Sequence, residues 1–307
     1  MSDVPDRLVV VLVSALPRLN ELRALLDSLA SVRVPDRYRL RVVVVDNGVR
    51  PTVPDDRDGV TVVHEEAPGI VPARNRSIEV ALAADPWAVA FVDDDEIVPA
   101  EWLTNLVEAQ EKFSADVVTG PVDYVLPPGT PRTPAVARRF ATLRHAHGPY
   151  EGTVATNNTL VLAHWFEGPS GLRFDPTFNG TGGEDVELFR RLRAQGGFVA
   201  WAPDSAVTEL VPADRATPHA LRQRALRNGQ LEVRLRLLAH ESTPRRQMVR
   251  AVYHGAKSTF RYAVLGLVVP RHRELGRLEI SRALGYWKAA AGLRPFEEYE
   301  RSDTAAR

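Results

Sequence analysis

The sequence predicts an α/β protein: a Rossmann-like sheet flanked by helices, followed by a helical C-terminal extension. Three observations predict it. Leu8–Val13 and Val42–Val45 are continuous apolar runs of the kind found in strands covered on both faces, and Val60–Val63 reads as a third strand. Segments of helical apolar spacing alternate with them. Carboxylates follow strand ends, at Asp46 and at Asp93-Asp94-Asp95-Glu96, where ligands bind in open α/β sheets.

In chain order, Leu8–Val13 is a first strand, and Leu22, Leu25, Leu26 and Leu29 mark one face of a first helix. Val42–Val45 runs into Asp46-Asn47-Gly48, and Val60–Val63 is a third strand. Pro68-Gly69 opens the loop before the helix carrying Ala73-Arg74-Asn75-Arg76. Ala88–Val92 is a short buried strand leading into the acidic run, and Pro99–Phe113 is a helix. Asp116–Gly120 is a strand, and proline and glycine make 121–134 a connection. His145 and His147 lie close together but lack a third ligand in a firm pattern, so a solvated or substrate-facing loop is favoured over a metal pair. Thr153–Leu162 reads as a strand whose Asn157 and Asn158 either serve function or bond backbone in a turn. Val186, Phe189 and Leu192 define a helix that stops at Gly196-Gly197. Further on, Phe198–Trp201 and Val207–Val211 precede a basic helix closing at Asn228-Gly229. Val249, Val252 and Tyr253, then 260–269 and 275–287, suggest amphipathic helices. Packing is the favoured reading for them, and contact with a membrane surface the second.

Composition removes several classes of function. The 307 residues hold 39 Lys plus Arg and 39 Asp plus Glu, so no overall charge points to nucleic acid. With no cysteine, disulfides, thiolate metal sites and cysteine nucleophiles are excluded. Met1–Arg7, with Asp3 and Asp6, is unlike a signal peptide, and 262–269 is too short to span a bilayer. The expectation is a cytoplasmic protein. Neutrality hides a basic C-terminal third, in which cations outnumber acids by roughly four to one from Arg215 to Arg294. That surface suits a diphosphate, an anionic acceptor or peripheral contact with the inner face of a membrane, although a solvated helical face explains most of these arginines.

Two acidic clusters carry the chemistry. Three adjacent carboxylates at Asp93–Asp95 repel one another unless a cation or solvent offsets them, and a hard divalent ion with oxygen ligands is the natural partner. A solvated turn or helix cap is the competing reading. Gly180-Thr181-Gly182-Gly183 precedes Glu184-Asp185 in a first helical turn. The helix dipole favours acids there by about 0.3–1 kcal/mol, yet the glycines also admit a close ligand.

Taken in order, 42–48 (Val-Val-Val-Val-Asp-Asn-Gly), Pro68-Gly69-Ile70 through Ala73-Arg74-Asn75, Phe91-Val92-Asp93-Asp94-Asp95-Glu96 with Trp102-Leu103, and Gly182-Gly183-Glu184-Asp185-Val186-Glu187-Leu188 resemble the family-2 glycosyltransferases of the GT-A fold. The resemblance spans most of residues 8–230. It implies a catalytic domain at 1–230, with a nucleotide-binding half to about 120 and an acceptor half after it, and a helical region at 231–307. It further implies transfer from a nucleotide-sugar donor to an acceptor hydroxyl with inversion, assisted by Mn2+ or Mg2+. By position, Ser14, Asp46 and Arg74 are implied at the nucleotide pocket. Asp93 and Asp94 are implied at the ribose or metal-bound water, Asp95 at the metal, and Asp185, beside Glu184, as general base. The run Ser14-Ala15-Leu16-Pro17-Arg18 departs from the family's usual Pro-Thr-Tyr-Asn. A late metal ligand of some relatives has His219 and Glu209 as candidates only. A metal-dependent nucleotidyltransferase and a non-catalytic sugar-nucleotide-binding protein are the alternatives.

Overall fold

The computed structural model describes residues 7–15, 18–54, 57–169, 171–265 and 269–293; residues 1–6, on which the signal-peptide expectation rests, lie outside them. The chain divides into two compact units. Unit 1 comprises 1–123, 142–209 and 298–307, and unit 2 comprises 124–141 and 210–297.

Unit 1 is organised on β1 (Arg7–Ala15), buried on both faces from Leu8 to Val13. It pairs in parallel with β2 (Tyr38–Asp46) on one side, which in turn pairs with β3 (Val60–His64), and with β4 (Ala88–Phe91) on the other. Strand order therefore reverses at β1, and the crevice outside its carboxyl end is where such sheets bind ligands. Beyond β4 the sheet continues through β9 (Thr159–Leu162), β6 (Val117–Thr119), β10 (Val199–Trp201) and β8 (Gly148–Pro149). The β4–β9, β9–β6 and β10–β8 pairings are antiparallel and β6–β10 is parallel, so the sheet is mixed. Helices α1 (Leu19–Ala30), α2 (Ile70–Leu82), α3 (Trp102–Phe113) and α5 (Glu184–Ala194) bury their apolar faces, with Leu188, Phe189 and Leu192 of α5 in the same core as Val10, Phe91 and Val161. A second small sheet forms where β5 (Glu96–Ile97) pairs antiparallel with β11 (Val207–Leu210).

Three expectations need correction. Within 121–134 the chain makes the short strand β7 (Val122–Val125), an edge strand beside β11, where flanking prolines are tolerated. The segment before Thr159 is a loop, not a strand. Asn158, at φ 55°, is fully buried and accepts from Trp102 Nε1 while donating to the Pro121 and Ser205 carbonyls. It is a structural hub. Finally, the basic helix does not close at Asn228-Gly229.

That helix, α6 (Pro218–Leu238), belongs to unit 2 with α4 (Pro134–Arg139), α7 (Pro244–Phe260) and α8 (Pro270–Ala290). Gly229 is a contact residue rather than a stop: a Cβ there would lie 2.2 Å from the Arg282 carbonyl, and one at Gly285 would lie 2.0 Å from the Leu226 carbonyl. Glycines on both helices bring the two backbones together, an approach that a side chain on either would block. Val233, Ala251 and Tyr286 form the apolar centre among α6, α7 and α8. Val249, Val252 and Tyr253, for which packing is expected, are instead exposed. No helix among the described residues is long and apolar enough to cross a membrane.

Candidate active site

The parallel strands of unit 1 end together, in register, with Ala15 opposite Asp46 and Leu12 opposite Phe91. The loops leaving them therefore converge. Asp46, 2% exposed, accepts from the backbone N–H groups of Gly48 (2.8 Å), Thr52 (2.5 Å) and Val53 (2.9 Å). Burial works to raise its pKa, but these donors outweigh it and hold it below the ordinary range. Asp46 thus shapes the loop 48–53, and Ser14 lies just before the strand end beside it. Asn47 ties the next loop in place, donating to the Glu65 and Ala67 carbonyls and accepting from Gly69 N. Gly69 has φ 112° and its missing Cβ leaves room for Asn179, so α2 starts where only glycine fits.

Arg74, one turn into α2 and 8% exposed, joins the two acidic clusters that lie far apart in sequence. Its Nη1 pairs with Glu184 and its Nη2 lies 3.5 Å from Asp93. On the other flank Arg18, just after β1, pairs with both Asp94 and Asp95. Desolvation lowers the Arg18 pKa, but Asp94 and Asp95 more than offset this and raise it. Sequence reasoning missed Arg18. The available signal was its place, a basic residue directly after the first strand where the motif departs from the expected run. Glu96 was also passed over: its Oε2 accepts from Asp93 N at 2.9 Å, and its Oε1 is buried without a partner among the described residues.

Charge in this cluster is unbalanced. Asp93, Asp94, Asp95, Glu96, Glu184 and Asp185 face Arg18 and Arg74. Burial pushes Glu96 well above the usual carboxylate range, with Asp93 adding to the shift. Glu184 is pushed up to about 7, by burial first and then by Asp185, against the pull of Arg74. Its Oε2 is another buried oxygen without a partner among the described residues. The Asp93 side chain is 44% exposed, yet it sits deep enough in the cleft for desolvation, reinforced by Asp95 and Asp185, to raise its pKa. Asp185, at the start of α5, accepts from Val186 N at 2.7 Å. Such a set fits a hard divalent cation: the donors are all oxygens, they are in excess over the arginines, and two buried oxygens lack partners. Among the described residues no three His, Asp or Glu side chains form a cage by themselves.

Glu209 lies opposite Glu96 in the β5–β11 pair, and His219 is on α6 in unit 2 beside Gln223. His145 stacks edge-on against Tyr150 and Trp201 and His147 against Phe113, so the two rings serve separate aromatic contacts.

Comparison with known proteins matches this architecture. Residues 11–163 match the family described as Glycosyl transferase family 2. Over 299 residues, covering 92% of this chain and 93% of the relative, the chain is 33% identical to the succinoglycan biosynthesis protein ExoM of Rhizobium meliloti (strain 1021). The fold is shared with the mannosyltransferase PcManGT of Pyrobaculum calidifontis, solved with GDP-Man and Mn2+, at a TM-score of 0.57 and 18% identity over 94% of this chain and 88% of that one. It is likewise shared with S. aureus TarS 1–349 in complex with UDP, at 0.50 and 15% over 92% and 91%. The buried strands that end in carboxylates, the glycine-led Glu184-Asp185 helix and this relationship along nearly the whole chain have one reading: the protein is a glycosyltransferase with the GT-A fold and belongs to glycosyl transferase family 2.

Proposed function

We propose that the enzyme transfers a sugar from a nucleoside-diphosphate sugar to an acceptor hydroxyl in one inverting displacement. The observation that carries this reading is the Arg74 bridge, which ties Glu184 to Asp93 and so puts the Asp93–Asp95 loop and the Glu184-Asp185 turn in one cleft. The nucleotide lies across the ends of β1 and β2, bordered by Ser14 and by the loop that Asp46 organises, with Arg74 closing the pocket. Asp93 and Asp94 face the ribose side of the donor.

Asp185 takes the proton from the acceptor hydroxyl as that oxygen attacks the anomeric carbon from the face opposite the leaving group. A new C–O bond forms as the bond to the diphosphate breaks, and the configuration inverts. Glu184 crowds Asp185 with like charge, which Arg74 limits by pairing with Glu184. Mn2+ or Mg2+ held through Asp95 would supply the positive charge that stabilises the departing diphosphate. Arg18, already paired with Asp94 and Asp95, offers a guanidinium at the same place and suits a phosphate oxygen equally well. Bound nucleotides in the solved relatives, GDP-Man in one and UDP in another, support a donor of this class.

Thermal shift tests the donor site. A nucleoside diphosphate should raise the melting temperature in the presence of Mn2+ or Mg2+, and Asp95→Ala should abolish that rise while leaving the unliganded protein folded. A folded wild type that no nucleotide stabilises would overturn the proposal.

A further inference from the structure

Helix α7 of unit 2 is built inside out. Its buried face carries Gln247, Ala251 and Ser258, whereas Val249, Val252, Tyr253 and Phe260 are 66%, 65%, 62% and 59% exposed. At about 3.6 residues per turn, positions 249, 252, 253, 256 and 260 share one face, so the exposed apolar groups form a continuous stripe and not scattered surface residues. An ordinary surface helix turns its apolar stripe inward and its polar residues outward. Here a small and polar face is spent on the contact with unit 2, and the apolar face is left to meet something else.

Charge identifies what that is. Arg245, Arg246, Arg250 and Lys257 lie on α7, and the helix has no carboxylate. Arg250 turns inward and pairs with Glu232 at 2.5 Å. Arg245, Arg246 and Lys257 are exposed, the first two at the N-terminal end of the stripe and Lys257 along its flank. A second copy docked face to face through a two-fold axis would set these cations against their own kind. An anionic bilayer offers the opposite charge together with an apolar layer a few ångströms below it.

We infer that α7 lies flat on an anionic lipid surface. Val249, Val252, Tyr253 and Phe260 enter the boundary between headgroups and acyl chains, and Arg245, Arg246 and Lys257 meet lipid phosphates. Tyr253 suits this depth because its ring is apolar and its hydroxyl is polar. The contact is in the plane of the membrane, in keeping with the absence of a crossing helix among the described residues. It goes beyond the transfer chemistry and holds whichever donor the cleft of unit 1 takes.

Vesicle co-sedimentation of the full chain tests it, with phosphatidylcholine alone or mixed with phosphatidylglycerol. The protein is expected to pellet with the mixed vesicles, less with phosphatidylcholine alone, and less again as salt rises. The triple variant Val252→Ser, Tyr253→Ser, Phe260→Ser changes exposed side chains only, so it should keep its melting temperature while vesicle affinity falls about tenfold. Arg246→Glu with Lys257→Glu should lose the preference for phosphatidylglycerol. Folded wild type that stays in the supernatant with mixed vesicles, or a triple variant that pellets as wild type does, overturns the inference. So does self-association that the triple variant abolishes without any vesicle binding, which would make the stripe an interface between copies.

Discussion

Glu184 in unit 1 and Glu232 in unit 2 are both taken largely out of water beside arginines, and they titrate in opposite directions. Burial, with Asp185 crowding it, pushes Glu184 up to about 7 against the pull of Arg74, which it shares with Asp93. Burial works to raise Glu232 too, but hydrogen bonds from Tyr286, Arg250 and Arg282 outweigh it and bring the carboxyl down to about 2. The same residue type is a satisfied staple in one unit and an under-compensated acid in the other. Burial raises both, more strongly for the nearly inaccessible Glu184 than for the partly buried Glu232, and the larger number of donors on Glu232 adds to the difference. Unit 1 keeps an excess of negative charge where a ligand is to enter, whereas unit 2 spends its charge on joining α6, α7 and α8.

The largest expected effect falls on the under-compensated side. Asp185→Asn keeps the shape of the α5 turn but removes the proposed base, so transfer should fall by about 10²–10⁴-fold while nucleotide affinity is retained. Equal loss of both, measured by steady-state kinetics and titration calorimetry, would mean a binding role instead.

On the satisfied side, Glu232→Gln leaves Arg250, Arg282 and Arg236 facing one another and should cost about 1–3 kcal/mol in urea unfolding. Because the folded pKa of Glu232 lies below its ordinary 4.5, its contribution is present above that pH and is lost as pH falls towards about 2. The variant should therefore show a shallower loss of stability on acidification. Gly229→Ala tests the close helix contact in the same unit. Helix propensity favours alanine by about 1 kcal/mol, but the new Cβ meets the Arg282 carbonyl, so net destabilisation of about 1–2 kcal/mol is expected from the shift in urea midpoint.

A pH dependence of opposite sign sharpens the contrast. For Glu184 the folded pKa lies above 4.5, so its contribution is fully present below that pH and is lost as pH rises through about 7. Glu184→Gln should flatten the decline in stability between those values, opposite in sign to the Glu232 variant. An unchanged slope would place the Glu184 proton elsewhere.

Much of unit 1 was legible along the chain because its signals are local. Continuous β-branched runs mark doubly covered strands, and the carboxylates after them drew attention to Asp46 and Asp93–Asp95, as the glycine-led helix start did to Glu184-Asp185. Pairings were not legible. Arg18 meets Asp95 across 77 residues and Arg74 meets Glu184 across 110, and nothing in the local pattern distinguishes these arginines from the solvated ones.

By itself, then, the sequence determined the α/β class, where most strands of unit 1 lie along the chain and which carboxylates follow β2 and β4, because backbone sterics and side-chain periodicity act within a few residues. Tertiary structure alone decided how charges are shared. It decided between function and backbone bonding for Asn158, which binds Trp102 and two carbonyls, and made Gly229 a helix contact where a helix stop was expected. It also set the apolar stripe of α7 outward. Each of these depends on which distant backbone or side chain arrives at the residue, and periodicity carries no information about that arrival.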